Sequence, residues 1–339
     1  MKMFSFAAFL AASLGALPAT AETVNVRISE HFPITHIGSE SGAQAFMARV
    51  EELIPGRVAF EHYPGEQLAR AAGQLDAVKT GVADMAVVGL VYVTGQMPLS
   101  TAVEIPGLYT DAMQGARAFT RLARNDLLEI EYLSQGVRPI FNFVVTPFQL
   151  LRTEEEPLAD LSQLQGEPLR VAGATGELIA NSLGAVGVAI SPTDLYLSLE
   201  RGVIEGAISN TASQFVYSTE RILESFTTNA SLGNVAFGLL VNEDTWQSWP
   251  DDVRDAMLAA GLETGVGVAQ AYFDADQVAY DRLREMGKTV YDLSPEVQAQ
   301  MVDALKPVEQ KWLDQMAERD LPGEEILAKF REYLEDEAK

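Results

Sequence analysis

Residues 161–208 read LSQLQGEPLRVAGATGELIANSLGAVGVAISPTDLYLSLERGVIEGAI. Strand-like and helix-like patterns alternate along this stretch, in the order 169–171, 178–183, 186–190, 193–200 and 207–209. Strands separated by helices need crossover connections, which place neighbouring strands parallel in one sheet. The stretch therefore predicts an α/β fold with a mainly parallel sheet covered by helices.

The N-terminal third of the chain repeats the alternation, so a second sheet of the same kind is expected. Its predicted elements are a strand at 24–28, a helix at 39–53, a strand at 58–63, a helix at 68–80 and a strand at 83–88. Two further apolar strands are expected at 138–145 and 235–241.

A helical C-terminal part follows from residue 251 onward. Gly261, Gly265 and Gly267 each weaken a helix by roughly 1 kcal/mol relative to alanine. Either a kink or close packing against a neighbour explains glycine there.

Two α/β units joined by crossovers predict a two-lobed molecule. We expect lobe I at 22–145, with a strand returning near 235–260, and lobe II at 146–234. A long connecting helix and the C-terminal helices, 261–339, are expected to pack across both lobes. Ligands of such folds bind beyond the carboxyl ends of the strands, in the cleft between lobes.

The first 21 residues have the order of a signal peptide. Lys2 supplies the positive region, residues 4–17 are apolar, and Ala19-Thr20-Ala21 is a small-residue cleavage motif. We expect export to the periplasm with cleavage after Ala21, the alternative being a core helix. No later apolar run reaches 18 residues, so no membrane span is predicted in the mature chain.

Composition excludes several classes of function. The chain of 339 residues carries 24 Lys and Arg against 48 Asp and Glu, and its net charge of −24 repels nucleic acid and anionic lipid. Cysteine is absent, so disulfides and thiol chemistry are excluded. No dinucleotide, phosphate-loop, zinc-protease or serine-hydrolase motif is present. We therefore expect no cofactor, no metal site and no catalytic residue.

Arg170 is the most informative single residue, because it stands in an apolar strand-like segment. A guanidinium in that position either grips a ligand anion or forms a buried structural pair. Glu167, Glu177 and Asp194 are the acidic partners that the second reading would require.

Five segments, in order along the chain, resemble one known family. They are Tyr63–Leu68 (YPGEQL), Gly81–Met85 (GVADM), Ile105–Tyr109 (IPGLY), Leu161–Val171 (LSQLQGEPLRV) and Leu183–Gly206 with its Tyr196, Leu199 and Gly202-Val203-Ile204-Glu205-Gly206. These are similar to motifs of the solute-binding proteins of tripartite ATP-independent periplasmic (TRAP) transporters, of the DctP type. The resemblance implies a periplasmic-binding-protein fold of class II-like topology. It also implies a receptor that delivers an organic acid to a membrane permease, with Arg170 in a salt bridge to the ligand carboxylate.

The chain departs from that pattern at two places. Many members carry a second arginine about twenty residues before the first; here Gln149 or Leu150 stands there, and Arg152 is out of register. Arg152 either contacts the ligand or is solvated beside Glu154 and Glu155. The family lysine two residues before Arg170 is Pro168. We interpret these changes as favouring a monocarboxylate with an apolar or aromatic body.

Further ligand-binding candidates follow strand ends. They are Glu30, His31 and Phe32 (with His36) after the first strand, Tyr92 after the third, Ser209, Asn210, Gln214 and Phe215 after residue 208, Gln149 near the absent arginine, and Asn234. Each has a structural alternative: a surface or satisfied histidine, a core tyrosine, or an asparagine that caps the following helix.

Two other classes of function stay open at this point. A receptor for a sensor kinase on the same fold would have the same sequence features. An enzyme acting on an organic acid would differ by turning over its bound ligand.

Overall fold

The structure is a computed structural model that describes residues 23–338. The predicted signal peptide, residues 1–21, and its cleavage after Ala21 lie outside the described residues.

Eleven strands occur in the described part of the chain. They are β1 (Val24–Ser29), β2 (Val58–Tyr63), β3 (Met85–Gly89), β4 (Val137–Val144), β5 (Gln149–Arg152), β6 (Pro168–Val171), β7 (Val186–Ala189), β8 (Gly206–Ser209), β9 (Ser225–Thr227), β10 (Ala236–Asn242) and β11 (Thr289–Tyr291). The α-helices are α1 (Ala45–Leu53), α2 (Gln74–Lys79), α3 (Ala112–Arg124), α4 (Gly173–Ser182), α5 (Leu195–Glu200), α6 (Ser213–Val216), α7 (Glu243–Ser248), α8 (Asp251–Glu285), α9 (Pro295–Ala317) and α10 (Gly323–Glu337).

The strands form two mixed sheets. The first has the order β2-β1-β3-β10-β4, with β1 parallel to β2 and β3 and with β10 antiparallel to its neighbours. The second has the order β11-β9-β5-β8-β6-β7, in which only β5 runs antiparallel to its neighbours. The predicted two-lobed α/β fold is confirmed.

Within residues 23–338 the chain passes between the sheets at three places: residues 145–148, residues 228–235 and α8. Helix α8 packs on β4, α3 and α1 beside the first sheet and reaches β11 of the second. Helix α9 packs on α4, whereas α10 packs on α3. The proposed lobe boundaries fall within these connections, and as a domain division they stay a prediction.

Two glycines explain how closely α8 lies on the first sheet. A Cβ on Gly261 would come within 2.7 Å of the Ile140 carbonyl oxygen, and one on Gly265 within 2.7 Å of the Asn142 oxygen. Nothing lies within 4 Å of a Cβ on Gly267. Close packing is therefore the reason at two of the three positions.

The sequence-based assignment differs from the structure in several elements. The helix expected at 68–80 begins later, with a 3-10 turn at Ala71–Gly73, because residues 66–70 form a loop in which the Glu66 carboxylate accepts from the Ala71 N–H. The helix expected at 39–53 starts as a π-helical turn, Ser39–Gln44. Strands β5, β9 and β11 were not predicted.

Candidate ligand-binding site

A cavity lies between the two sheets. Its lining residues come from the ends of β6 and β8, from the segments that follow β1, β3, β4, β7 and β8, from the start of β10 and from α8. Its aromatic wall consists of Phe32, Tyr92, Phe148, Tyr217, Phe237 and Tyr272. Its polar side chains are His31, His36, Arg170, Ser209, Asn210, Ser213 and Gln214.

Arg170 is the one Asp, Glu, Lys or Arg among the described residues that line the cavity. Its Nε donates to the Ile190 carbonyl oxygen at 3.0 Å, and burial leaves only 4% of the residue exposed. Burial raises the pKa of the Tyr92 phenol, and a hydrogen bond from Arg170 opposes that shift. No carboxylate of residues 23–338 forms an ion pair with Arg170. The cavity therefore presents an uncompensated, buried guanidinium.

The aromatic wall is packed ring against ring. Phe32 stacks on His36 with 4.4 Å between ring centroids, and Phe237 lies 5.8 Å from His31 and 5.0 Å from Phe143. These contacts keep the wall rigid and apolar, which suits a flat ligand body.

Both cavity histidines are neutral. Burial lowers the pKa of His31 to about 3, and the charge of Arg170 acts in the same direction. Burial also lowers the pKa of His36 to about 3, with His31 contributing. Among the described residues that line the cavity, Arg170 thus carries the only full charge that a ligand meets.

A hydrogen-bonded cluster forms the wall after β8. His36 Nε2 lies 3.1 Å from Ser213 Oγ, and Asn210 Nδ2 donates to the same oxygen at 3.0 Å. Gln214 Nε2 donates to Ser209 Oγ at 3.0 Å and to the Asn210 carbonyl oxygen at 2.8 Å. The contact of His36 with Ser213 joins the loop after β1, in the first sheet, to α6, beside the second.

Seven of the twelve sequence-based candidates come together in this cavity. They are Phe32, His31, Tyr92, Arg170, Ser209, Asn210 and Gln214. The other five lie elsewhere, and the structure gives a physical reason for each.

Arg152 is buried and paired rather than open to a ligand. It forms two hydrogen bonds of 3.0 Å with the Glu167 carboxylate and a further one of 2.5 Å with Glu154. Arg152 pairs with Gly206 on β8 whereas Arg170 pairs with Ala207. Because consecutive residues of a strand point to opposite faces, the two arginines lie on opposite faces of the sheet.

Glu30 and Gln149 form hydrogen bonds with neighbouring residues instead of facing the cavity. The Glu30 carboxylate contacts His62 Nε2 at 2.6 Å and accepts from the Ser39 hydroxyl at 2.5 Å. Gln149 Oε1 accepts from the Thr227 hydroxyl and from the Ala230 N–H. Neither residue lines the cavity.

Phe215 and Asn234 also lie outside. Phe215 lies under the Arg282 guanidinium, whose Cζ is 4.1 Å from the ring centroid, and does not line the cavity. Asn234 lines a separate small cavity with Glu104, and burial raises the pKa of Glu104 to about 8.

Sequence reasoning missed several lining residues, above all Ser213, Phe237 and Tyr272. Ser213 and Phe237 lie within a few residues of predicted strand ends, so the sequence could have identified them as candidates for the cavity wall. Tyr272 lies in the middle of α8, where helical periodicity alone does not distinguish a cavity side chain from a core one.

Residues 23–338 contain no group of three His, Asp or Glu side chains arranged to hold a metal ion. Among the same residues, no helix combines the length and apolar character that a membrane span requires.

The sequence matches the model of the bacterial extracellular solute-binding proteins, family 7 (DctP), over residues 35–315. The chain belongs to this family. It is thus an extracytoplasmic solute-binding protein of the TRAP type, as the resemblance implied.

Curated relatives of this solute-binding protein are distant in sequence, but their alignments cover most of both chains. A solute-binding protein of Albidiferax ferrireducens is 23% identical over 283 residues, covering 81% of this chain and 82% of the relative. The C4-dicarboxylate-binding periplasmic protein DctP of Rhodobacter capsulatus is 23% identical over 310 residues, covering 89% of each.

Solved structures share its fold. A TRAP solute-binding protein of Rhodoferax ferrireducens, in complex with copurified benzoate, superposes with a TM-score of 0.86 at 20% identity, covering 93% of this chain and 99% of that one. One from Bordetella bronchiseptica, with bound (R)- and (S)-mandelate, gives 0.83 at 22% identity, covering 92% and 99%.

Proposed function

We propose that this solute-binding protein is the periplasmic receptor of a TRAP transporter that captures a monocarboxylic acid with an apolar or aromatic body. The carboxylate pairs with Arg170, and the rest of the ligand lies against the aromatic wall. The closed receptor then delivers the acid to the membrane permease.

The observation that carries the proposal is the unpaired Arg170 guanidinium in a cavity wall without carboxylates. An unpaired buried charge is costly, so a ligand of opposite charge is expected to complete the site. The planar guanidinium matches a carboxylate with two parallel hydrogen bonds, and the exclusion of water strengthens the pair.

A single cation favours a single carboxylate. Arg152, the other arginine of this region, is already paired with Glu167 and Glu154 on the opposite face of the sheet. A dicarboxylate would therefore leave one anionic group against rings and neutral polar side chains. The ligands named for the benzoate and mandelate complexes of the similar folds are acids of the expected class.

Titration calorimetry of the folded protein against aromatic, aliphatic and dicarboxylic acids tests the proposal. We expect an aromatic monocarboxylate to bind best, and Arg170→Ala to weaken it by roughly 10²–10⁴-fold, since truncation leaves the bound anion uncompensated. Arg170→Lys keeps the positive charge but loses the planar guanidinium, so its affinity should lie between those of the wild type and Arg170→Ala.

Arg201→Ala is the matched control, because it removes one positive charge from an exposed position of the same lobe. Its affinity should equal that of the wild type. If a dicarboxylate binds most tightly, the proposed preference for a monocarboxylate is wrong. If the Arg170 and Arg201 variants change the affinity equally, Arg170 does not form a salt bridge with the ligand.

A further inference from the structure

Ser213 is a cavity side chain whose hydroxyl oxygen is hydrogen-bonded by two neighbouring side chains. It lines the wall and is only 6% exposed. Its Oγ forms hydrogen bonds with two neighbours, the ring of His36 and the amide of Asn210.

The tautomer of His36 follows from its other nitrogen. The Gly38 N–H donates to His36 Nδ1 at 3.0 Å, so Nδ1 carries no proton in the neutral ring. The ring proton is therefore on Nε2, and Nε2 donates to Ser213 Oγ.

Asn210 uses the remaining acceptor site of Ser213. Its Nδ2 donates to the same oxygen at 3.0 Å. A hydroxyl has two lone pairs and one hydrogen, so both lone pairs are occupied and the hydrogen must point elsewhere. No described residue accepts it, and Ser213 faces the cavity.

We infer that Ser213 donates its hydroxyl hydrogen to an uncharged oxygen of the ligand, and that the natural ligand is an oxygen-substituted acid, such as a hydroxy acid, rather than a plain one. This rests on the proposed binding of a carboxylate by Arg170. His36 is the positioning residue, because its Nε2 proton prevents the Ser213 hydroxyl from turning away from the ligand.

The oxygen that Ser213 binds is uncharged for an electrostatic reason. No second cation lines the cavity among the described residues, and both histidines are neutral. A lone hydroxyl donor does not replace the hydration of a second carboxylate, whereas it satisfies a hydroxyl, ether or carbonyl oxygen.

Calorimetry with matched pairs of acids tests the inference. The probes are benzoate against 2-, 3- and 4-hydroxybenzoate, and phenylacetate against mandelate. In the wild type, at least one hydroxylated acid should bind about 2–10-fold more tightly than its parent, the worth of one buried hydrogen bond. In Ser213→Ala this advantage should disappear.

The comparison within each pair separates recognition from structure. Ser213→Ala also leaves the His36 and Asn210 donors unpaired, but that loss affects parent and hydroxylated acid alike and cancels in the ratio. Ser213→Cys is the second variant, which keeps a side chain at the position with a weak donor and should give an intermediate ratio. Ser198→Ala, at a half-buried position of α5 that does not line the cavity, should leave the ratio unchanged.

Two results would overturn the inference: no hydroxylated acid binds better than its parent, or the advantage survives Ser213→Ala. If the parent acids still bind in an Arg170-dependent manner, the proposed function stands and this inference alone fails. If no acid of the panel binds the wild type, the proposed function fails and the inference fails with it.

Discussion

Arg152 and Arg170 show how one residue of register separates a structural charge from a binding charge. They pair with consecutive residues of β8, so they project to opposite faces of the same sheet. On one face Glu167 neutralises the Arg152 guanidinium. On the other face the Arg170 guanidinium lines the cavity without an acidic partner. The resemblance to the family indicated Arg170 as the ligand-binding arginine. The pairing of β5 and β6 with β8 explains why Arg152 cannot take the place of the absent second arginine in the cavity.

Truncation of Arg152 should therefore change stability and leave ligand affinity nearly unaltered. Arg152→Met strands the buried Glu167 carboxylate, and we expect the free energy of unfolding to fall by about 3 kcal/mol. Arg152→Met combined with Glu167→Met should recover most of that loss, because it removes both buried charges. Urea denaturation and calorimetry measure the two effects; lower affinity at unchanged stability would contradict the assignment.

At the scale of elements, α8 lies closely on β4 because glycines face the strand. Gly265→Ala should lower the free energy of unfolding by about 1–3 kcal/mol, since its Cβ would approach the Asn142 oxygen to 2.7 Å. Gly267→Ala, two residues away on the exposed side, should raise it by about 0.5–1 kcal/mol through helix propensity. Thermal and chemical denaturation distinguish the variants, and equal shifts would show that backbone propensity, not contact, governs both.

Asp276 joins α8 to two other parts of the molecule. Its carboxylate accepts from the Ala212 N–H at 2.7 Å, next to the cavity segment, and from the Thr146 hydroxyl in the connection between the sheets. Burial raises its pKa to about 6, against 3.8 ordinarily. Between about pH 4 and pH 6 the folded protein thus holds a proton there that the unfolded chain has already released.

That difference predicts a pH-dependent loss of stability. Because the folded-state pKa is raised, the stabilisation is complete below about pH 4 and is lost as the pH rises through about 6, by roughly 2–3 kcal/mol in all. Asp276→Asn does not ionise, so its free energy of unfolding relative to the wild type should rise over that window and stay level outside it. A difference that is constant from pH 4 to pH 7 would contradict the account.

The elements that could be predicted are those whose pattern is local. Strand β1 alternates apolar and polar residues, β3 and β10 are mainly apolar over five and seven residues, and the helices beside them have clear periodicity. Strands β9 and β11 have three residues each, too short to show an alternation of apolar and polar residues, and β5 (Gln149–Arg152) has apolar residues at only two positions. The pairing of these strands depends on tertiary contacts. The same holds for the position of Tyr272, which lines the cavity from α8.

At the scale of the whole molecule, the net charge of −24 opposes the approach of an anionic ligand. Arg170 acts only at short range, inside a screening length of roughly 10 Å at 0.1 M salt. The association rate of a carboxylate should therefore rise severalfold between about 10 and 300 mM sodium chloride. Stopped-flow measurement of tyrosine or tryptophan fluorescence tests this, with sucrose as the control for osmolarity. A rate that falls with salt would indicate a local positive field that outweighs the net charge.

The central claim is that Arg170 holds the carboxylate of the ligand. The most direct measurement is mass spectrometry of the small molecule that copurifies with the wild type and with Arg170→Ala, both shown to be folded. We predict a monocarboxylic acid in the wild type and none in the variant. A ligand that the variant retains, or one without an acid group, would contradict the claim and assign Arg170 to structure.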